Sequence, residues 1–172
     1  MKTAIAELDV DALLASLGEC LKRQMVARKL RDPLLVGIHT GGVWIAEILQ
    51  QRLGIAGPIG QLNISFYRDD FSRLGMHPEV RPSRLPSTED RDVILIDDVL
   101  YTGRTIRAAL NELFDYGRPR QVVLGVLIER NGRELPIQAD CSGARIDLAS
   151  GQRIKLTGPT PLRLELHTVK NG

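Results

Sequence analysis

The chain has few cysteines, few aromatic residues and no long apolar run, and each shortage narrows what it can be. Its two cysteines, Cys20 and Cys141, lie far apart and form no CxxC or histidine-spaced cluster. That pattern argues against a disulfide framework or a structural zinc site and predicts two buried, inert thiols in a reducing cytoplasm. No apolar stretch approaches the roughly 18 residues of a membrane helix. The opening residues lack the apolar core of a secretory leader. With one Trp, three Tyr and three Phe there is no evident platform for stacking unpaired bases. An excess of one charge sign is missing too. Against 21 acidic residues stand 23 basic ones, a net charge of +2, so local clustering must decide whether nucleic acid is a partner. No repeat or low-complexity tract divides the 172 residues, and they are read as a single domain, 1–172.

What is present alternates between two periodicities. Val10, Leu14, Leu17, Leu21 and Met25 form one stripe of an amphipathic helix, which Asp9 or Asp11 can cap and which Pro33 ends. Residues 34–38 read as a short buried strand, followed by a turn at Thr40, Gly41 and Gly42 and a second helix marked by Ile45, Ile48, Leu49 and Leu53. The alternation over residues 61–67 predicts a strand. Residues 68–91, with three prolines and many charges, predict a long functional loop. A strongly apolar strand at 93–96, a helical stripe (Ile106, Ala109, Leu110, Leu113) and a further buried strand at 121–128 complete an α/β fold. It is a mainly parallel sheet flanked by helices. Ligands in such sheets sit at the carboxyl ends of the strands, which places the chemistry just after Ile38 and Ile96.

The unusual residues stand at those two places. Asp97 and Asp98 follow the apolar strand, and Tyr101, Thr102, Gly103, Arg104 and Thr105 open the next helix. A tight glycine turn at a helix start presents several backbone amides in one concave loop, and the two threonine hydroxyls complete a site for a phosphate dianion. The carboxylates suit a diol or a magnesium ion brought in with the ligand. An Asp pair that only caps a turn, or a Thr-Gly at a helix start, is mundane alone. The full run is far more specific.

That run resembles the 5-phosphoribosyl-1-pyrophosphate (PRPP) motif of type I phosphoribosyltransferases, and more narrowly that of the PyrR family. Residues 35–40, 66–70, 117–119 and 133–137 follow the same family pattern in order, so the resemblance spans roughly residues 10–166. The resemblance implies a type I phosphoribosyltransferase fold with a flexible loop and hood, and the conversion of uracil and PRPP to UMP and pyrophosphate. It assigns Asp97 and Asp98 to the ribose hydroxyls with magnesium nearby, and Asp97, Asp98 and Arg68 to catalysis. Val99, Leu100, Tyr101, Thr102, Gly103, Arg104 and Thr105 would bind PRPP, the loop from Tyr101 to Thr105 cradling the 5-phosphate, and Thr40, Gly41 and Gly42 would hold the pyrophosphate. Tyr67, Arg68 and Arg73 belong to a flexible loop over residues 65–86, and Ile128, Glu129 and Arg130 lie where the nucleobase is expected. Glu129 and Arg130 also suit a structural ion pair. Tyr101 stands where purine enzymes generally carry an Asp, which favours a pyrimidine base over the purine alternative.

The family also implies regulation of pyrimidine genes through leader RNA, a homodimer or higher assembly, and a cytoplasmic location without membrane contact. Lys22, Arg23, Arg28 and Arg133 are the RNA candidates, and a solvated helix face accounts for the first three equally well. A regulatory RNA-binding protein that senses PRPP with little catalysis is the competing reading. Two departures from the pattern stand out. Thr40-Gly41-Gly42 replaces Thr-Arg-Gly, removing a guanidinium from the pyrophosphate loop, and Asn131-Gly132 replaces Gly-His.

Overall fold

The computed structural model describes residues 8–64 and 82–169. Helix α1 (Val10–Ala27) starts at Asp9, whose carboxylate accepts the amide of Asp11 at 2.9 Å. The helix stops at Ala27, earlier than proline chemistry alone predicts. Lys29 takes a positive φ of 52°, and the Leu30 amide turns back to the Met25 carbonyl. The chain then runs through β1 (Leu34–Ile38), α2 (Gly41–Leu53), β2 (Gly60–Leu62), β3 (Asp92–Leu100), α3 (Arg104–Asp115), β4 (Gln121–Arg130) and β5 (Cys141–Ile146). Two further strands, β6 (Gln152–Thr157) and β7 (Arg163–Thr168), form a separate antiparallel hairpin.

Strands β1 to β5 form one parallel sheet in the order β2-β1-β3-β4-β5, as the alternation of strand and helix predicts. Side chains divide between its two faces with a period of two. Leu35, Ile94 and Ile96 pack with α1 and α2 around Leu14, Leu17, Leu21, Ile45 and Leu49. Leu34, Val36, Val93 and Leu95 pack with α3 around Ile106, Ala109 and Leu113. Of the strand expected over 61–67, β2 holds Gln61 and Leu62, and residues 65–67 lie outside the described residues. Gln61 exchanges both backbone hydrogen bonds with Arg84, and the Asn63 amide goes to Ser83 Oγ. Strand β3 runs four residues past the expected Ile96, staying paired with β4 as far as Leu100 opposite Glu129.

The cysteines overturn the expectation of two inert thiols: Cys20 and Cys141 are joined as a disulfide, with their Cα atoms 5.7 Å apart. Their sequence separation of 121 concealed this. Helix α1 lies across the sheet and delivers Cys20 to the first residue of edge strand β5. At Gly143 the two elements approach so closely that a Cβ would lie 2.9 Å from the Leu13 carbonyl oxygen.

At the amino ends of the strands, the fully buried Asp92 gathers four donor atoms from three residues. Its carboxylate accepts from Arg120 Nε and Nη2 at 2.9 and 2.7 Å, from the Arg31 amide at 2.6 Å and from Gln121 Nε2 at 3.1 Å. The Arg120 hydrogen bonds outweigh the opposing cost of burial and hold the Asp92 carboxyl well below the ordinary range, at about 2. A carboxyl depressed in the folded state stabilises the fold above its unfolded pKa near 4, and that contribution is lost as pH falls toward 2. In denaturant titrations at pH 7, Asp92→Ala should cost about 3–5 kcal/mol, since it leaves a bound guanidinium without its anion. The gap to wild type should narrow steadily between pH 4 and pH 2.

Candidate active site

Three stretches of chain converge at the carboxyl ends of β1, β3 and β4. The first is the turn into α2. The peptide between His39 and Thr40 is cis, and the Thr40 carbonyl accepts from the Val43 and Trp44 amides at 3.2 and 3.4 Å. Gly41 and Gly42 are both buried. A Cβ on Gly42 would lie 2.5 Å from the Ile96 carbonyl oxygen, and one on Gly41 would lie 2.6 Å from Asp98 Oδ2. The loop is therefore seated directly on β3.

The second stretch is the end of β3 and the turn into α3. Asp97 is 2% exposed and Asp98 half-buried, in keeping with neighbours on a strand that face opposite sides. Asp97 Oδ1 accepts the Asp98 amide at 2.9 Å, and Asp98 Oδ1 accepts the Val99 amide at 2.8 Å. Gly103 adopts a φ of +96°, a conformation that suits glycine, and Thr102 Oγ1 accepts the Arg104 amide at 3.2 Å. The turn is braced from outside. The amides of Glu134 and Leu135 both donate to the Thr102 carbonyl, and Arg104 grips Glu134 Oε2 through Nε and Nη2 at 3.0 and 2.9 Å. The start of α3, with amides that have no partner inside the helix, faces the same hollow.

The third stretch is the end of β4 with the β6–β7 hairpin. The second and third stretches line a cavity of about 1190 Å³, bounded by residues 97–106, 130–132 and 148–155 with His167 and Val169, while the turn into α2 meets the Asp97–Asp98 end of β3 from beside it. Its polar groups include both carboxylates, both loop threonines and Arg130. Of the nucleobase candidates, only Arg130 borders it. Ile128 is buried in the core, and Glu129 accepts from Arg145 Nε at 2.8 Å. The ion pair that sequence offered between Glu129 and Arg130 is thus made with Arg145 instead, because parallel pairing sets Arg145 opposite Glu129.

Tyr67, Arg68 and Arg73 lie outside the described residues. Among the basic residues offered for RNA, Lys22 pairs with Glu19 at 2.9 Å and Arg28, at the end of α1, with Asp140 beside β5, while Arg23 and Arg133 are exposed. Sequence reads the remainder of the chain after the 121–128 strand as short strands and loops, as β6 and β7 are, but does not place them at the cavity wall. Alternation of buried Ile154 and Leu156 with exposed Arg153 and Lys155 was its one signal. Sequence reasoning missed the stacking of the Arg130 guanidinium, 3.9 Å from the centroid of the Tyr101 ring.

Among the described residues, no group of three or more His, Cys, Asp or Glu side chains could enclose a metal ion. A divalent cation at Asp97 and Asp98 fits only if the ligand brings most of the oxygens, which is how magnesium travels with polyphosphates.

Residues 10–150 match the phosphoribosyl transferase domain family. The chain is 55% identical over 165 residues to the bifunctional protein PyrR of Nitrosococcus oceani, covering 94% of this chain and 93% of that one. It is 53% identical over 154 residues to the bifunctional protein PyrR of Pseudomonas entomophila, covering 89% and 90%. The chain belongs to the PyrR family. Its fold is also that of solved hypoxanthine phosphoribosyltransferases. The Staphylococcus aureus structure superposes with a TM-score of 0.64 at 24% identity, covering 82% of this chain and 76% of that one. The Trypanosoma cruzi structure superposes with a TM-score of 0.65 at 21% identity, covering 87% and 83%. At these identities the likeness speaks for the type I phosphoribosyltransferase fold alone.

Within the PyrR pattern, the departure at Asn131-Gly132 has a structural account. Gly132 sits at φ +105°, and a Cβ there would overlap Cε2 of Tyr101. Gly132→Ala should therefore lower stability by about 1–3 kcal/mol through backbone strain and displacement of the ring. Urea unfolding of the variant beside wild type measures this. An unchanged midpoint would mean that the ring does not need the glycine.

Proposed function

We propose that this chain is a uracil phosphoribosyltransferase that joins uracil to PRPP, releasing UMP and pyrophosphate, with a second role in regulating pyrimidine genes through RNA. The observation that carries the enzymatic reading is the meeting of Asp97, Asp98 and the amide-rich turn 101–105 in one cavity. Curated relatives that share over half of its residues are named bifunctional PyrR proteins, in line with both roles.

In this reading the turn 101–105 receives the 5-phosphate through helix-start amides and the hydroxyls of Thr102 and Thr105. Asp97 and Asp98 accept from the ribose diol. Thr40, Gly41 and Gly42 present backbone amides to the pyrophosphate, which departs with the electron pair of the broken C1–O bond as uracil N1 bonds to C1 and the N1 proton is released to solvent or to the departing pyrophosphate. When bound, magnesium with PRPP offsets the negative charge that grows on the leaving group, and Asp97 and Asp98 are the side chains that would hold it. The protein supplies orientation and fixed dipoles rather than a covalent partner. Arg68, together with Tyr67 and Arg73, is assigned to the loop that excludes water. PRPP and nucleotides are at hand in the cytoplasm, and no helix among the described residues is long and apolar enough to cross a membrane. A homodimer or larger assembly accords with the family.

The missing guanidinium at Gly41 cannot simply be restored, because Asp98 leans into the space a side chain would need. With radiolabelled uracil, PRPP and magnesium, wild type should form UMP steadily. Asp97→Asn should lower kcat/KM by about 100-fold or more. Gly41→Arg should lower the rate too, because it displaces the Asp98 carboxylate. No UMP from folded wild type would sink the enzymatic reading, and a faster Gly41→Arg enzyme would show that Asp98 yields.

The RNA role is favoured by the exposed Arg23 and Arg133 and by the relatives' bifunctional name. Filter binding of pyrimidine-operon leader RNA should tighten with UMP and weaken with PRPP. Affinity should fall with salt at a log–log slope of about −0.7 to −0.9 per phosphate contact. Absence of binding even at low salt would leave the enzyme alone.

A further inference from the structure

One side chain joins the phosphate turn, the end of β4 and the β6–β7 hairpin. Arg130, the last residue of β4, lays its guanidinium over the Tyr101 ring of the phosphate turn at 3.9 Å. Its Nη1 donates to the Gln152 carbonyl at 3.1 Å, at the first residue of β6, and its Nε donates to the Asn131 carbonyl at 3.3 Å. Asn131 extends the connection. Its Nδ2 donates to the Leu148 carbonyl at 3.1 Å, and its Oδ1 accepts the Leu148 amide at 2.9 Å. Both backbone groups of Leu148, just ahead of β6, are thus tied to β4.

These ties have work to do. The Tyr101 ring is 47% exposed, so apolar packing alone does not hold it. A cation stacked on the ring face does. The β6–β7 hairpin is a two-stranded sheet, and such sheets are marginal unless fastened to something else. Ile154 and Leu156 fasten its core side. Arg130 and Asn131 fasten the side that borders the cavity. The outer brace of the phosphate turn, Arg104 with Glu134, touches none of this and does not set the distance to the hairpin.

We propose that Arg130 and Asn131 are positioning residues that hold the β6–β7 hairpin at a fixed separation from the Tyr101 turn, so that both substrates meet a preformed cavity. The kinetic part of the proposal rests on the uracil phosphoribosyltransferase reading, and the structural part does not.

Two readouts on the full-length protein test it, with Arg130→Ala, Asn131→Ala, Tyr101→Ala, Tyr101→Phe and the Arg130→Ala/Tyr101→Ala double variant. In steady-state kinetics, Arg130→Ala should raise KM for PRPP and uracil about five- to thirtyfold, the scale of a stacked cation and one hydrogen bond, while kcat changes far less. Tyr101→Phe, which keeps the ring, should stay closer to wild type than Tyr101→Ala. The double variant should be no worse than its worse single parent, because both remove one stack. In hydrogen exchange without substrate, the β6 and β7 amides should exchange faster in Arg130→Ala and Asn131→Ala, with α1 amides unchanged. Fully multiplicative effects in the double variant would overturn the proposal. So would unaltered β6–β7 exchange. A fall in kcat at constant KM would also overturn it, because Arg130 would then act on the reacting atoms. If wild type makes no UMP, the enzymatic reading fails by itself and the exchange experiment still decides the positioning role.

Discussion

Everything at this site depends on how closely the start of α2 approaches β3. Gly37, Gly42 and the Ile96 carbonyl are stacked so tightly that a Cβ on Gly37 would lie 2.7 Å from the Gly42 carbonyl oxygen. A Cβ on Gly42 would lie 2.5 Å from that of Ile96. Backbone meets backbone at those points, which glycine alone permits without displacement. The consequence is positional. The loop after β1 is set down against the Asp97–Asp98 end of β3, although some 56 residues separate the two polar segments in the chain.

Parallel pairing carries that arrangement outward. Because β3 stays paired with β4 through Leu100 opposite Glu129, the turn 101–105 and the residues after Glu129 emerge side by side. Arg130 can then reach Tyr101, and the return segment can donate two amides to the Thr102 carbonyl. The opposite end of the same strand pair is fixed by Asp92, whose buried carboxylate joins Arg120 and Gln121, at the entry to β4, to the chain entering β1. One ladder is thus anchored by charge at its amino end and left free to present polar groups at its carboxyl end. Buried carboxylates tolerate this only when fully hydrogen-bonded, and Asp92 accepts from four donor atoms.

Much of this was legible in the residues. Apolar runs at 34–38, 93–96 and 121–128 and the helical stripes between them predict the parallel sheet, because burial on both faces demands such runs. The run from Asp97 to Thr105 marks the cavity for a chemical reason, since a glycine turn at a helix start exposes amides whatever the rest of the chain does. Tertiary pairing was not legible. Nothing local says that Arg145, rather than Arg130, would neutralise Glu129, because the choice follows from strand register. Nor does spacing bring Cys20 to Cys141, which meet only through the angle at which α1 crosses the sheet. The β6–β7 wall was dim for a related reason. A short half-exposed hairpin has weak periodicity, and its role arises from what it faces.

The two departures from the family pattern read differently once the geometry is known. An arginine absent from the pyrophosphate loop looks in sequence like a lost contact. In the fold it is matched by Asp98, whose carboxylate lies against the bare Gly41 backbone. Asn131-Gly132 likewise looks like the loss of a histidine, yet the amide side chain ties Leu148 from both sides and the glycine makes room for the Tyr101 ring. In both places a glycine stands where the family pattern has a longer residue, and neighbouring segments lie in direct contact across it. Groups already held in place lose less freedom when a ligand arrives, so a site built this way can recover through preorganisation part of what it gives up in direct charge contacts.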